Sequence, residues 1–320
     1  MQKTFLACIV IAASACDNDS TGPQREHLIT VPGSFASIQA AISAAKPNDT
    51  IEIAAGLYAE RVVINKSDIT IIELDGSGGA RVVLDGSTLG GGTGLGIHIA
   101  GTAAAPVSNV EIRNVVVRNF ERGVVLENAE RSRLIKNEMH NNTDKNAADG
   151  VFNLADGVVL ISARLNTLSE NFSHDNGHDG FMLRDGSSGN LIMKNRAVSN
   201  GAQTLPGNNG CGIDVSPNGN NNGNQVVENE VLRHAWGIRI GSSTTSANFG
   251  NLVLRNTVRE NARAGVTVRQ ASIGNVITDN IATGNGTANL APTMDFDLFD
   301  EGVKDNTWDR NQGRANFTSQ

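Results

Sequence analysis

Large aromatic residues and cysteines are scarce in this sequence, and each scarcity excludes one way of holding a fold together. Only 4% of the 320 residues are aromatic, so a core built on bulky rings is excluded. The three cysteines are Cys8, Cys16 and Cys211, and loss of a leader together with lipidation of Cys16 would leave one, so a disulfide framework is excluded as well. Aliphatic side chains must therefore fill a narrow interior.

Positive charge and helix-length patterns are also in short supply. The formal net charge of -7 and the pI near 5.4 argue against nucleic acid as a partner, which usually requires a basic face. One helix is predicted, with Ser34 as its cap and Pro47 as its end. Its apolar positions share one face: Ile38, Ala41, Ile42 and Ala45.

What the sequence has in abundance is a repeat that spaces asparagines five residues apart. The residues Asn251, Asn256 and Asn261 show the spacing in one stretch. Sliding this unit along the chain predicts eight central asparagines: Asn114, Asn137, Asn171, Asn195, Asn229, Asn256, Asn280 and Asn311. In all but one unit, Ser132 being the exception, the residue five before the centre is also Asn, and His234 is the one exception five after it.

Six of the eight asparagine units lead to a glycine followed by alternating apolar residues, as in Gly123–Leu126 and Gly265–Val268. Strict alternation indicates a strand with one buried face. No helix pattern separates these short strands, so the chain must coil and pair each strand in parallel with its equivalent one turn later. Recurring asparagines would then form ladders of stacked side-chain amides.

These repeats resemble the right-handed parallel β-helix proteins of the pectate-lyase-like superfamily, which include periplasmic copper-processing accessory proteins and mannuronan epimerases. The resemblance covers about residues 29–316 and implies an all-β, single-stranded right-handed parallel β-helix, a solenoid. We interpret the helix as its N-terminal capping helix, because an uncovered first coil exposes apolar side chains and strand edges. Two features of the enzymes are missing: the only tyrosine, Tyr58, lies far upstream, and there is no Asp-Pro-His signature.

The N-terminus predicts export. Residues 1–15 read as a signal peptide, and the small residues before Cys16 favour lipidation of that cysteine. Residues 16–28 are polar and read as a flexible tether, and residues 29–320 form the β-helix domain. We therefore expect a protein of the periplasm or cell surface, a monomer that meets the membrane only through its lipid anchor.

Unequal repeats predict a groove. Extra residues fall between the third asparagine and the glycine at 143–156, 201–211 and 286–294, and after the glycine strand at 216–223 and 241–250. Loops gathered beside one sheet build walls around a ligand. On the glycine strands, the first and third residues after Gly should point inward and the second and fourth outward. The middle coils then collect charged residues on one outer face.

This face supports two catalytic interpretations. A polyuronate lyase or epimerase needs a cation to neutralise the sugar carboxylate and a base to take the adjacent proton. Arg184, Arg239 or Arg269 would supply the charge, and His178, Lys194 or an arginine the base. A glycoside hydrolase instead needs two carboxylates, and Asp156 and Asp179, stacked about 5 Å apart, have the spacing of a retaining pair.

Structural alternatives stand beside these interpretations. Asp before Gly is good turn chemistry, and Asp214 with Arg239 reads as a surface ion pair. His140 and His174 occupy one repeat position on consecutive coils and would suit a transition metal or a polar turn. A C-terminal group of carboxylates suits Ca²⁺ or a solvated cover: Asp295, Asp297, Asp300 and Glu301. A reactive thiol at Cys211 lacks a His-Asp set.

The sequence thus predicts a lipid-anchored β-helix that binds a cell-envelope or extracellular polysaccharide and leaves open whether it cleaves or epimerises it. A non-catalytic periplasmic scaffold or metal-handling accessory protein is the alternative. The candidate catalytic residues are Asp156, Asp179, Asp214, Arg239, His178 and Arg184. We assign no metal ligands. The candidate substrate-binding residues are Trp236, which would stack on a sugar ring, Arg269 and Lys194.

Overall fold

A computed structural model describes residues 27–74, 79–144, 155–201, 210–215, 218–241, 248–286, 295–301 and 305–317. Within these ranges the chain is nearly all β, and every strand pair of its three long sheets is parallel. Each coil gives one strand to sheet A, one to sheet B and one to sheet C in turn. This confirms the right-handed parallel β-helix. The predicted signal peptide, the lipidation site at Cys16 and most of the tether lie outside the described residues.

The strands are short and fall into the following sets. Sheet A holds eleven: Leu28–Val31, Thr50–Ile53, Thr70–Glu73, Glu111–Arg113, Arg133–Ile135, Thr167–Ser169, Leu191–Met193, Gln225–Val227, Leu252–Leu254, Val276–Thr278 and Thr307–Asp309. Sheet B holds nine: Gly56–Tyr58, Val82–Asp85, Val115–Arg118, Glu138–His140, Phe172–His174, Arg196–Val198, Glu230–Leu232, Thr257–Arg259 and Ile281–Thr283. Sheet C holds nine: Val62–Ile64, Leu95–Ala100, Arg122–Glu127, Val158–Ile161, Phe181–Arg184, Cys211–Val215, Trp236–Ile240, Val266–Val268 and Leu298–Asp300. A small sheet pairs Val107–Ser108 with Ala129–Glu130, and a 3₁₀ turn spans Ser87–Leu89.

Aliphatic residues stack in register to form the core. In sheet A, Leu134 pairs with Ile112 on one side and Leu168 on the other, and Leu168 pairs with Ile192. Each of these side chains is at most 1% exposed. Full burial of one such side chain contributes about 1.5–3 kcal/mol, so the column of like residues supplies the stability that disulfides do not.

The one α-helix in the described part of the chain, Ile38–Ala44, covers the first coil and contacts its strands of sheets A and C. Its inward residues Ile38, Ala41 and Ile42 are buried, as the sequence predicted. The cap differs from the prediction. Ser37 rather than Ser34 caps the helix, accepting a hydrogen bond from the backbone N–H of Ala40. Among the described residues no helix has the length and apolar content to cross a membrane.

The central asparagine ladder is present from Asn137 to Asn311 and is buried as far as Asn280. The Asn171 amide donates from Nδ2 to Asn195 Oδ1 at 2.9 Å, and Asn195 donates in the same way to Asn229 at 3.0 Å. The backbone N–H of each residue donates to the same oxygen, and the second amide hydrogen reaches a carbonyl of the coil before, as Asn195 does to Leu168 at 2.8 Å. Every polar atom of the column is thus paired inside the core.

The prediction that Asn114 belongs to this ladder is wrong by one residue. Strand pairing aligns Asn114 with Lys136 and Val115 with Asn137. Asn114 has a left-handed φ of 61°, and the ladder position is filled by Val115, whose N–H donates to Asn137 Oδ1 at 3.0 Å. Asparagine favours both left-handed turns and amide stacking, so spacing alone could not distinguish the two.

A second buried ladder, at the end of the sheet B strands, contains two residue types other than asparagine. His234 takes the place of an asparagine: Asn200 Nδ2 donates to His234 Nε2 at 3.1 Å, and His234 Nδ1 lies 3.2 Å from Asn261 Oδ1. This geometry requires a neutral ring protonated on Nδ1. Burial dominates and lowers the pKa of His234 to about 3. Asp297 closes the column, accepting from Asn285 Nδ2 at 2.9 Å.

The repeated glycines are needed because neighbouring coils approach each other closely, and not because the chain makes a tight turn there. A Cβ at Gly123 would lie 2.5 Å from the carbonyl oxygen of Gly157, and one at Gly237 would lie 2.3 Å from that of Gly265. Since both contacts are with backbone, no side chain can move aside. The column of glycines is therefore a steric requirement of the sheet B to sheet C corner.

The three predicted insertions before the glycines leave the solenoid at this same corner. Gly201 and Gly210 meet at the base of one, and Gly286 meets Asp295 at the base of another. The backbone of Asn142 and Ala155, which flank the first, accepts hydrogen bonds from Gly177 and His178 at 2.8 Å each. The inserted residues themselves, and the walls predicted from them, lie mostly outside the described residues.

Replacing His234 with Asn should make the protein less sensitive to acid. The folded state holds His234 neutral, while the unfolded chain takes up a proton below the usual pKa of 6.5, so stability is lost as pH falls from 6.5 toward about 3. The loss is at most about 1.4 kcal/mol per pH unit. Asn restores the ladder without a titrating group.

The measurement is urea unfolding of wild type and His234→Asn between about pH 6.5 and pH 4. The difference in unfolding free energy should grow in favour of the variant toward low pH. A pH-independent difference would contradict a neutral, laddered His234.

Candidate functional site

The outer face of sheet C carries the candidate residues, and its strands alternate as the sequence predicted. Val124 and Leu126 belong to the interior core, whereas Val125 packs with Val159 and Met182 in a separate cluster on the outer face. The residue before each glycine lies on the same outer face, so that Cys211 packs with Trp236 and Ala264. Two outer columns therefore run side by side along the solenoid.

Three of the predicted residues form one buried cluster. His178 Nδ1 lies 3.0 Å from Asp156 Oδ1 and 3.2 Å from Asp179 Oδ2. The Asp179 backbone N–H donates to Asp156 Oδ1 at 3.0 Å, and the Cys211 N–H donates to Asp179 Oδ1 at 2.6 Å. Both carboxylates are 0% exposed. The two aspartates come from the residues before neighbouring glycines, and His178 leans between them from the corner.

This cluster holds a charged imidazole. Burial alone would lower the pKa of His178, but the neighbouring carboxylates of Asp179 and Asp156 outweigh it and hold that pKa well above 6.5. Burial raises the pKa of Asp179, and His178 opposes the shift. Arg122 Nε lies a further 3.5 Å from Asp156 Oδ2. Two cations thus balance two buried carboxylates.

A second buried pair lies on the next coils. Arg239 Nε and Nη2 donate to the two oxygens of Asp214 at 3.0 and 2.9 Å, a bidentate geometry. Asp214 is 1% exposed, so this pair is buried and not the surface ion pair that the sequence also allowed. Burial would lower the pKa of Arg239, but Asp214 raises it, and the guanidinium stays charged.

In two ion pairs on this face the cation is the more exposed partner, namely Arg122 beside Asp156 and Arg239 beside Asp214, whereas Arg184 is less exposed than Asp185. The side chains of Arg122, Arg184 and Arg239 are 12%, 27% and 16% exposed, whereas Asp156 and Asp179 are fully buried. Arg184 is bound by the neighbouring Asp185 at 2.9 Å. Arg122, which is not among the residues that the sequence analysis selected, has no hydrogen bond from its buried Nε. The arrangement presents positive charge outward over a floor of aspartates.

Two predicted substrate-binding residues lie differently from the expectation. Lys194 sits at the corner between sheets A and B, where it is 3.8 Å from Glu228, so it cannot be the base on sheet C. Its repeat position precedes the central asparagine, which belongs to another corner. Trp236 is on sheet C but only 2% exposed, so it offers no open ring for a sugar. Arg263 and Arg269 lie over its ring at 5.2 and 5.6 Å.

The retaining hydrolase pair is not supported by this geometry. Asp156 and Asp179 are neighbours, as predicted, but both are turned toward His178 and backbone N–H groups and neither reaches the surface. A glycosidic oxygen must contact one of the two carboxyls directly. Spacing could be predicted from the repeat, but the direction of the carboxylates could not.

The two metal sites considered from sequence differ in whether their residues come together in the structure. His140 and His174 do stack, with ring centroids 4.8 Å apart and planes within 4°, but both nitrogens of His174 are already bound, to Asp175 at 2.7 Å and to Glu138 at 3.1 Å. The C-terminal carboxylates do not converge: Asp297 faces Asn285, Asp300 accepts from Trp308 at 2.8 Å, and Glu301 binds Arg269 at 2.7 Å. The proposed Ca²⁺ cluster is therefore wrong for these three residues.

Asp156, His178 and Asp179 are the group of the described residues whose ligand atoms all lie within 4.8 Å of one another. Their spacing would suit a metal ion, but the His178 proton and Arg122 already balance the charge. Cys211 is buried without a disulfide, and burial raises the pKa of its thiol well above the usual value, which excludes a reactive thiolate at neutral pH.

An open depression of about 660 Å³ lies elsewhere, on the outer face of sheet A near its N-terminal end. Two of the three carboxylates that line it are already engaged. Glu111 is paired with Arg113 and Arg133, and Glu73 lies 3.9 Å from Arg81. We therefore place the candidate site on sheet C.

Comparison with known proteins agrees with this architecture. A family model described as "Right handed beta helix region" matches residues 70–251, more than half of the chain. The crystal structure of an alginate lyase from Paenibacillus sp. str. FPU-7 is similar, with TM-score 0.51 and 15% identity over 91% of this chain and 99% of that one. Geobacillus virus E2 ORF18 gives TM-score 0.54 and 13% identity over 80% of this chain and 57% of that one. No curated protein sequence matches significantly.

Replacing His178 with Asn should destabilise the protein more at low pH than at high pH. The folded pKa lies above the unfolded value of 6.5, so the ion pairs stabilise the fold fully below pH 6.5 and the contribution is lost as pH rises through the folded pKa. Unfolding free energies of wild type and variant between about pH 6 and pH 9 test this. A difference that stays constant or widens with pH would rule out the buried imidazolium.

Proposed function

The chain belongs to the right-handed β-helix family, and from that premise we propose that it binds an acidic polysaccharide along the outer face of sheet C. The carrying observation is that the guanidinium groups of Arg122 and Arg239 lie nearer the surface than the buried aspartates beside them, with Arg184 partly exposed on the same face, in a chain whose net charge is -7. Guanidinium groups that lie nearer the solvent than the carboxylates beside them offer hydrogen-bond donors and positive charge to an anionic ligand.

The geometry favours a linear ligand. Arg122, Arg184 and Arg239 lie on separate strands of sheet C, with stacked coils about 4.8 Å apart, so the positive charges follow the axis of the solenoid. The buried carboxylate of Asp214 fixes Arg239 in a bidentate pair before the ligand arrives, which reduces the ordering cost of binding there. The similar alginate lyase fold supports a polyuronate, because alginate is a polymer of uronates.

Among the residues predicted for it, chemistry beyond binding has neither an accessible acid nor a base in this geometry. An arginine would neutralise the sugar carboxylate and so acidify the adjacent carbon, but His178 is only 5% exposed and is turned toward Asp156 and Asp179, so it does not reach a leaving oxygen. The protonated ring cannot remove the carbon-bound proton at neutral pH either, and Lys194 lies at another corner. Binding is therefore the function that this arrangement supports best. Elimination or epimerisation is a separate activity that the binding experiment can also detect.

The proposal retains export and a lipid anchor at Cys16, which would place the site in the periplasm or at the cell surface. Extracellular and envelope polysaccharides are found there. Metabolic labelling of the protein with a radiolabelled fatty acid, compared with Cys16→Ser, checks the anchor separately from the site.

Replacing Arg184 with Gln should weaken binding to polygalacturonate or alginate about tenfold, the loss of one charge-assisted hydrogen bond. Arg196→Gln is the matched control, since Arg196 on sheet B also binds one carboxylate, Glu230, at 2.8 Å. Titration calorimetry with purified full-length protein gives the affinities, and dextran serves as the neutral polysaccharide. Absorbance of unsaturated uronates in the same samples reports elimination.

Equal affinity for dextran, or equal losses in both variants, would overturn the acidic-polysaccharide proposal. Binding without absorbance change or new reducing ends would identify a binding protein.

A further inference from the structure

Two neighbouring coils of sheet C contain buried donors that have no acceptor. Trp236 is 2% exposed and Thr267 0%, yet neither Trp236 Nε1 nor Thr267 Oγ1 has a hydrogen-bond partner. The buried Nε of Arg263 has none either. The asparagine ladders of the same coils are fully paired, so these gaps are local to the outer face.

Such gaps cost free energy. A buried polar group without a partner loses about 1–3 kcal/mol of hydration that nothing replaces. A buried indole N–H normally has an acceptor, as the other tryptophan shows. Trp308 Nε1 donates to Asp300 at 2.8 Å. Unpaired donors on neighbouring coils of one face therefore mark a place where an acceptor from outside can bind.

Charge in this cluster is also unbalanced. The guanidinium groups of Arg263 and Arg269 lie 5.2 and 5.6 Å from the Trp236 ring centre. Glu301 neutralises Arg269 at 2.7 Å, whereas Arg263 has no carboxylate partner among the described residues. Arg239, paired in register with Thr267, uses only Nε and Nη2 on Asp214.

We propose that Trp236, Arg263 and Thr267, with Arg239 beside them, form a subsite for one anionic oxygen group of the ligand, a uronate carboxylate or a sulfate ester. This inference rests on the proposed function and gives it a fixed anchoring point. A carboxylate offers about four lone-pair sites, enough to accept from indole, hydroxyl and guanidinium donors together. Arg263 is partly exposed and unpaired by carboxylate, so it is the group that moves to admit the ligand.

Nuclear magnetic resonance of the indole N–H groups gives a direct test, because the chain has only two tryptophans. Adding polygalacturonate, or separately dextran sulfate, to the full-length protein should shift the Trp236 indole signal downfield and leave that of Trp308 in place. The two polymers distinguish carboxylate from sulfate. Trp236→Phe assigns the signals.

Two variants separate binding from folding. Trp236→Phe and Thr267→Val each remove an unpaired donor, so the melting temperature should stay level or rise, while affinity for the effective polymer falls about 3- to 10-fold. Trp308→Phe is the matched control. It removes a satisfied hydrogen bond, so the melting temperature should fall while affinity is unchanged.

The outcomes distinguish this inference from the proposed function. If an acidic polymer binds but the Trp236 signal stays in place and both variants bind normally, the subsite is overturned and the proposed function stands. If no polymer binds, the proposed function fails, and sodium glucuronate and sodium sulfate then decide the subsite. A shift of the Trp236 signal with glucuronate or sulfate, but not with sodium chloride, would support the subsite. No shift with either glucuronate or sulfate would overturn it.

Discussion

The structure depends on stacking in register, in which each residue lies over its equivalent one coil later. The side-chain amide ladders fix this register, because each asparagine oxygen accepts from both the backbone and the side chain of the residue before it. A shift of one residue would place a polar amide among the aliphatic core and leave its donors unpaired. The glycine column adds a steric constraint at one corner, and the aliphatic columns supply the stability.

Stacking also explains how two buried histidines come to opposite charge states. His234 lies in a column of neutral amides, where burial without a counter-charge lowers its pKa to about 3. His178 is equally enclosed but lies between Asp156 and Asp179, and their charges hold its pKa well above 6.5. The repeat position sets the neighbours, and the neighbours set the protonation. The outer face of sheet C carries charge because Arg122 and Arg239 lie over buried aspartates.

The fold and much of the site's membership could be predicted from periodicity, since spacing determines which residues share a column. Asp156 with Asp179, Asp214 with Arg239, and His140 with His174 are neighbours as expected. Spacing failed where one residue type serves two purposes, as at Asn114, which occupies a left-handed turn. It also failed where side-chain direction matters: Trp236 is enclosed by arginines, and the aspartates turn inward to His178.

The sequence by itself determined the architecture, because a repeat of polar and apolar positions has one economical way to bury its apolar face and pair its amides, which is to coil upon itself. It also determined which residues share each column. Only the tertiary structure decided which side chains meet solvent, which donors lack partners and which carboxylates are neutralised. Those properties depend on long side chains that cross between columns, such as Arg122, Arg263 and Arg269, and on burial, neither of which has a periodic signature.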